Sequence, residues 1–200
     1  MKTFLLLTFF TITISTHAIA QPTDPVPDGI NLYFDQGATE FCRYFTNAPF
    51  EAVTAYICMT RISATSGVSS WQAAVTVDGD ILVPTWQLTA GSNSATAPTF
   101  QVDIGTADPL PWAESIVVAT FEGYVHTPED RIYFSMQGVD GPQHSPSYTA
   151  GDDTGDERDL HMRIEVPGTP VCAINDPYFC DYWEVENEIS TWSDVKALYR

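Results

Sequence analysis

Apolar and polar residues alternate with a period of two along much of the chain. In one run, Trp71, Ala73, Val75 and Val77 are separated by polar or small residues. The run from 131 to 137 shows the same pattern. Because neighbouring side chains of a strand point to opposite faces, this period is typical of strands that pack on a core from one side.

Stretches of strand character recur along the chain, and turn-forming residues such as Gly, Pro, Asn and Asp separate them. The predicted strands are Ile30–Asp35, Ala52–Thr60, Trp71–Asp78, Ile81–Thr89, Thr99–Gly105, Ser115–His126, Arg131–Gln137, Leu160–Val166 and Pro170–Asn175. No long helical period occurs before residue 188. Short strands with regular turns favour an all-β fold, an antiparallel β-sandwich of jelly-roll or immunoglobulin-like form with about nine strands.

The first residues have the features of an export signal. Lys2 precedes the apolar run Phe4–Ile14, and Ala18 and Ala20 give a small-x-small cleavage pattern. This combination predicts a signal peptide over residues 1–20, removed before Gln21. The apolar run is shorter than the ~20 residues of a spanning helix. We therefore expect a secreted protein, extracellular or at the cell surface.

The remainder divides into three parts by composition. They are a Pro-rich lead-in at 21–28, the predicted sandwich at 29–176, and an acidic, aromatic tail with a short helix at 177–200. In that helix, Trp192, Val195 and Leu198 share one face. A helix this short is marginal alone, so we expect the face to dock on the export machinery, the cell surface or a neighbouring subunit. A frayed terminus is the alternative interpretation.

Charge narrows the range of partners. The chain has 26 acidic against 8 basic side chains and a net charge of -18. Such a field repels nucleic acid and anionic lipid. It suits an extracellular protein that binds cations or a basic partner, or one that is acidic for solubility alone.

A long polar loop from Gly138 to Asp159 carries the densest acidic cluster. Carboxylates on a loop can bind calcium, which takes six to eight oxygen ligands. The candidate ligands are Asp152, Asp153, Asp156 and Asp159. Their spacing does not match the calcium loop of EF-hands, and a solvated run of charge is the alternative. We therefore predict no cofactor, with calcium as the one alternative considered.

Catalytic signatures are weak. Paired acids serve glycoside hydrolysis, but none of the acids lies in a recognisable motif. His126, His144 and His161 lie in different segments, and the chain has no G-x-S-x-G sequence. We therefore assign no catalytic residue and predict that the protein is not an enzyme; a small secreted hydrolase is the weakest alternative.

Exposed aromatic side chains would bind sugars by stacking. Alternation places Trp71 in the core, whereas it points Tyr33 and Tyr133 outward. Trp112 and Tyr148 lie in predicted loops. These four outward or loop aromatics are the candidate ligand-binding residues, and packing against loops is the alternative for each.

Four runs of the predicted sandwich are more distinctive than the rest, and they are INLYFD, VTAYICMT, SGVSSWQAAVTVDGD and IVVATFEGYV. These runs resemble the cohesin and carbohydrate-binding-module superfamily of bacterial secreted β-sandwiches. The resemblance implies a nine-strand sandwich whose first and last strands are parallel neighbours. It also implies a non-catalytic adhesion, structural or protein-interaction module, or alternatively a carbohydrate-binding module. The expected partner is an extracellular protein or a polysaccharide, and self-association is a further option.

The four cysteines allow three pairings. Parallel first and last strands, as the resemblance implies, would bring Cys42 and Cys180 to the same side of the sandwich. Cys42–Cys180 is therefore the preferred disulfide. The alternative joins Cys42 to Cys58 and Cys172 to Cys180. Cys58 and Cys172 lie in predicted strands and stay unassigned, as a second pair or as buried thiols.

Overall fold

The computed structural model describes residues 26–44, 49–152, 156–164 and 169–180. The predicted signal peptide, Asp153, and the tail residues Trp192, Val195 and Leu198 lie outside the described residues. Within the described ranges, no helix is long and apolar enough to cross a membrane. The strands are β1 Gly29–Tyr33, β2 Cys42–Arg43, β3 Glu51–Thr60, β4 Val68–Asp78, β5 Ile81–Leu88, β6 Ser92–Asn93, β7 Thr99–Asp103, β8 Ser115–Val125, β9 Ile132–Gln137, β10 Ser147–Ala150, β11 Glu157–Asp159 and β12 Cys172–Ile174.

The strands form two sheets. Sheet A has the order β1-β3-β8-β5, and sheet B has the order β11-β10-β4-β9-β12-β2. In sheet B, β7 also pairs with β4, and β6 pairs with β7. The pairings are antiparallel except for β12 with β2. The expected antiparallel β-sandwich is confirmed, with twelve strands among the described residues.

The main core lies between the inward faces of the two sheets. Trp71 of β4 stacks on Phe100 of β7 with ring centroids 5.2 Å apart. Phe121 of β8 meets Phe134 of β9 edge-on at 5.3 Å. Both contacts are aromatic geometries that add to the burial of apolar area. The alternation around Trp71 therefore identified a buried face, as expected.

A second, smaller core lies on the outer face of sheet A. Its buried members are Tyr33, Ala38, Phe41 and Cys58. The loop that follows β1 and a helical turn at 177–180 cover it, and a disulfide between Cys42 and Cys180 joins these two segments. We call residues 34–42 and 177–180 together the clip. This disulfide is the preferred pair, and Cys58 and Cys172 are free and buried.

Local hydrogen bonds shape the first half of the clip. The Asp35 carboxylate accepts the backbone N–H groups of Thr39 and Glu40 at 2.8 and 2.6 Å. The Phe34 N–H donates to the Glu40 carbonyl at 2.6 Å. A short acidic side chain that bonds nearby backbone is a typical turn former. The loop is therefore folded back on the end of β1.

Two expectations about strands were wrong. The run Leu160–Val166 alternates, but its described part is not assembled into a strand. It makes an isolated bridge from His161 to Gly29, and the Leu160 N–H donates to the Pro146 carbonyl at 2.7 Å. The polar loop from Gly138 to Asp159 contains a hairpin, because β10 and β11 pair antiparallel there. In addition, the parallel neighbour of the last strand is β2, which lies just after the predicted first strand.

Candidate binding groove

The outward face of sheet B carries a continuous polar surface. Residues in the first half of β4 pair both with β7 and with β10. β7 and β10 therefore lie on opposite sides of β4. β11 extends the sheet beyond β10. One outward row across these strands is Asp103, Ser70, Thr149 and Glu157. The next row is Gln101, Gln72, Ser147 and Asp159.

A side-chain network fixes the middle of this surface. Gln72 Nε2 donates to Ser147 Oγ at 2.9 Å. Gln72 and Ser147 also both donate to the Glu157 carboxylate. Ser147 is only 3% exposed. The network therefore holds one carboxylate in a set orientation above the sheet, which lowers the entropy that a ligand must remove on binding.

These rows line an open groove of about 390 Å³. A hollow of about 160 Å³ adjoins it and shares Gln72, Ser147 and Glu157 with it. Within the described part of the chain, the residues lining both include four carboxylates and no lysine or arginine. Those carboxylates belong to Asp103, Asp140, Glu157 and Asp159. We call the groove and the hollow together the acidic groove.

The basic side chain nearest in sequence to the groove acids makes its contacts outside the groove. Arg158 lies between two groove acids on β11. Its guanidinium donates to Ser63 Oγ at 2.9 Å and lies 6.0 Å from the ring centroid of Tyr148. Since Arg158 is not among the lining residues, the groove keeps its negative character.

Two of the four candidate ligand-binding aromatics, Tyr33 and Tyr148, are buried, which corrects the expectation that they are exposed. Tyr33 does point away from the main core, but the clip covers it and leaves it 0% exposed. Tyr148 is 1% exposed and donates its hydroxyl to Asp28 at 2.6 Å. Its ring belongs to the main core. Neither ring offers a face to a ligand.

The other two aromatic candidates lie outside the acidic groove. Tyr133 on β9 is half-buried and donates its hydroxyl to Asp176 at 2.7 Å. Burial and the hydrogen bond to Asp176 both raise the pKa of Tyr133. Trp112 is 45% exposed, and its indole N–H donates to the Ile62 carbonyl at 2.9 Å. Each ring therefore has one polar atom engaged by the protein.

The candidate calcium ligands do not assemble among the described residues. Asp152 and Asp156 lie on either side of residues 153–155, which the structure does not describe. Asp159 ends β11 and lines the hollow of the acidic groove. In the described ranges, these acids do not form a group whose ligand atoms meet.

Sequence reasoning overlooked most of the groove. Gln72 was recognised only as an outward residue of its strand, and Ser147 and Glu157 lay in the segment predicted as a loop. The available signal was the short alternation of Tyr148 and Ala150 with Ser147 and Thr149, which marks β10. A strand of four residues is too short for that pattern to be distinctive.

The fold places the protein in the class of antiparallel β-sandwiches. No protein-family model matches the chain, and a search of curated proteins finds no match. A search of solved structures finds the sixth cohesin of scaffoldin B from Acetivibrio cellulolyticus, crystallised with a mutant Cel5 dockerin. The identity is 15% and the TM-score 0.44, over 74% of this chain and 98% of that chain. That structure contains a cohesin, and the dockerin is that protein's partner.

Proposed function

We propose that the protein is a secreted, non-catalytic protein-interaction module that binds a basic segment of an extracellular partner in the acidic groove. The observation that carries the proposal is the concentration of carboxylates on the outward face of sheet B, with no lysine or arginine among the described lining residues. Lysine and arginine side chains form charge-assisted hydrogen bonds with carboxylates, which are stronger than bonds between neutral groups.

The spacing of the groove acids fits an extended segment. Asp103 and Glu157 stand at the two ends of one row that crosses four strands. With strands about 4.8 Å apart, the row is about 14 Å long. An extended peptide advances about 3.3 Å per residue, so two cations four residues apart would reach both carboxylates. The Ser70 and Thr149 side chains between them supply hydrogen bonds to the backbone of the ligand.

The net charge of the chain adds a long-range electrostatic attraction to the local contacts in the groove. At -18, the protein attracts cationic partners over distances set by the Debye length. Such attraction mainly raises the association rate and makes it depend on salt. The groove would then provide the local contacts that select one partner among many basic proteins.

A protein ligand is favoured over a polysaccharide by the placement of the aromatic rings. Sugar binding on β-sandwiches uses exposed aromatic faces, and the two aromatic residues that line the groove, Trp71 and Tyr148, are only 2% and 1% exposed. The outward side chains that line it are amides, hydroxyls and carboxylates. The following experiment therefore has to distinguish a protein-binding module from a carbohydrate-binding module.

The test measures binding of fluorescent peptides to residues 21–200 by anisotropy, at low and at physiological ionic strength. The probes are peptides rich in lysine and arginine. The control peptides are scrambled and carry glutamine in place of each lysine and arginine. We expect D103N/E157Q to weaken binding of the basic peptides by about tenfold or more, as expected for two lost charge-assisted contacts. Each peptide is also measured on D108N/E129Q, which removes two exposed acids outside the groove.

The matched pair decides the result. An equal loss in D108N/E129Q would mean that total charge, and not the groove, attracts the peptides, and the proposal would fail. Retention on insoluble polysaccharides together with no peptide binding would replace it with a carbohydrate-binding module. Because D103N/E157Q changes outward side chains, its melting temperature should stay near that of the parent protein.

A further inference from the structure

Two turns meet at one end of the sandwich, away from the acidic groove. The β4–β5 turn ends at Asp80, and the β8–β9 turn spans His126 to Arg131. One ligand atom each from Asp80, His126 and Asp130 lies within 4.8 Å of the others. His126 Nδ1 and Asp80 Oδ2 are 2.8 Å apart. Residues from separate turns therefore converge on one small volume.

Backbone packing holds the two turns together. Gly79 has φ 123°, and a Cβ built there would lie 2.6 Å from the Arg131 carbonyl. Only glycine allows this approach of the β4–β5 turn to the start of β9. Within the other turn, the Asp130 carboxylate accepts the Thr127 N–H at 2.8 Å. Asn175 Nδ2 donates to the Asp130 carbonyl at 3.1 Å. Both turns are thus fixed before any ligand arrives.

The charges around this volume favour a cation. Asp80 and Asp130 bring two carboxylates to a single imidazole. The neighbouring cation, Arg131, places its guanidinium 5.9 Å from the ring centroid of Tyr178, outside the cluster. The exposed Glu129 adds negative charge to the same turn. The carboxylates of this cluster would therefore stabilise a bound cation.

The chemical types of the three ligands indicate which metal ion would bind. Calcium and magnesium prefer oxygen ligands, whereas imidazole with carboxylates suits zinc and its first-row neighbours. We propose that His126, Asp80 and Asp130 bind one Zn²⁺ ion, with water completing the coordination. At zinc–ligand distances of about 2.0–2.1 Å, tetrahedral ligand atoms are about 3.3 Å apart. The three ligand atoms lie within 4.8 Å of one another, with one pair at 2.8 Å, so small side-chain rotations would bring them to this spacing. With His126 and Asp80 side chains 45% and 58% exposed, the ion has direct access.

Zinc bound here would link the β4–β5 and β8–β9 turns. Because a ligand that binds only the folded state stabilises it by mass action, zinc should raise the melting temperature. This site is separate from the acidic groove in residues and in ligand chemistry. Its role is accordingly structural, as a cross-link between loops at one end of the sandwich.

The experiment uses residues 21–200 without a polyhistidine tag, treated with chelator and then dialysed. Isothermal titration with Zn²⁺ should show one saturable site, and the melting temperature should rise with zinc. H126Q and D80N should each weaken zinc binding by about tenfold or more, since each removes one of three protein ligands. H161Q removes an exposed histidine outside the cluster and should bind zinc as the parent does.

Cobalt provides a readout that does not depend on stability. Co²⁺ at the site should give visible absorption bands of a tetrahedral complex, and H126Q should lose them. Circular dichroism of the metal-free variants establishes that they are folded. Equal zinc affinity in H126Q and the parent, or no saturable binding at all, would overturn the proposal and leave a surface ion pair. Equal binding of Ca²⁺ to parent and H126Q would also overturn it, because imidazole would then have no part.

Discussion

Replacing Cys42 and Cys180 together with alanine is expected to lower the free energy of unfolding substantially. The bridge joins residues separated by 138 positions. In the chain-entropy model, a closed loop of that length lowers the entropy of the unfolded chain by about 17 cal/mol/K, or about 5 kcal/mol at 25 °C. Measured losses fall between about 2 and 5 kcal/mol for native disulfides. The expected loss is therefore a large fraction of the stability of a domain.

Urea unfolding followed by tryptophan fluorescence measures this loss from the midpoint and the slope. The parent protein in reductant should shift to the same midpoint as the double variant, which controls for the alanine side chains. A loss below about 1 kcal/mol would refute the reasoning that the bridge acts through the unfolded chain. Peptide mapping without reduction checks the pairing, and a Cys172–Cys180 peptide would contradict it.

The free thiols provide an independent check on the same variant. Burial is the main cause that raises the pKa of Cys58 to about 12, and burial also raises the pKa of Cys172 well above its usual value. Because the thiolate is the reactive form, native protein should resist alkylation at both. If the variant stays folded, its two thiols should also resist alkylation; rapid labelling would show that the core has opened.

Two further perturbations test the packing and the pH response. Gly67→Ala should lower the free energy of unfolding by at least about 1 kcal/mol more than Gly105→Ala does. Both glycines have positive φ, but only at Gly67 would an added Cβ meet a backbone atom, the Leu110 carbonyl oxygen at 2.0 Å. Urea unfolding of the pair measures the difference, and equal losses would contradict the close approach. Tyr133→Phe should cost about 1.5 kcal/mol at neutral pH, since it removes a hydrogen bond to the Asp176 carboxylate. Burial alone would raise the pKa of Asp176, but hydrogen bonds from Tyr133 and from backbone N–H groups lower it overall. The stabilisation is therefore present at neutral pH and lost as the pH falls through the folded-state pKa, so the variant should lose less stability between pH 7 and about pH 3 than the parent does.

Alternation predicted the layers of this fold because it reports which side chains are buried. In β4, Trp71 and Val75 face the core, as their spacing indicated. The same signal failed at Leu160–Val166. There Leu160 and Ile164 are buried, but the backbone–backbone hydrogen bonds of the described part are confined to Leu160 and His161. A period of two shows that one side of an extended segment is covered, and it does not show that another strand hydrogen-bonds to it.

The acidic groove depends on contacts between distant parts of the chain. Gln72 and Ser147 are 75 residues apart, and they meet because β10 pairs with β4. The sequence identifies Gln72 as outward but does not give its neighbours. Strand order follows from connections and register over the whole chain. The proposed zinc ligands Asp80 and His126 are likewise 46 residues apart, and they meet only because the β4–β5 and β8–β9 turns lie together.

Tyr33 shows why the acidic groove, and not the outer face of sheet A, is the better binding surface. Alternation placed Tyr33 on an outward face, and it does point away from the main core. Whether such a face meets solvent depends on what lies over it, and here the clip does. The clip exists because Cys42 and Cys180 bring the loop after β1 and the turn at 177–180 together. Part of the outer face of sheet A is thus interior, whereas the outward rows of sheet B stay open and carry the charge that a basic partner requires.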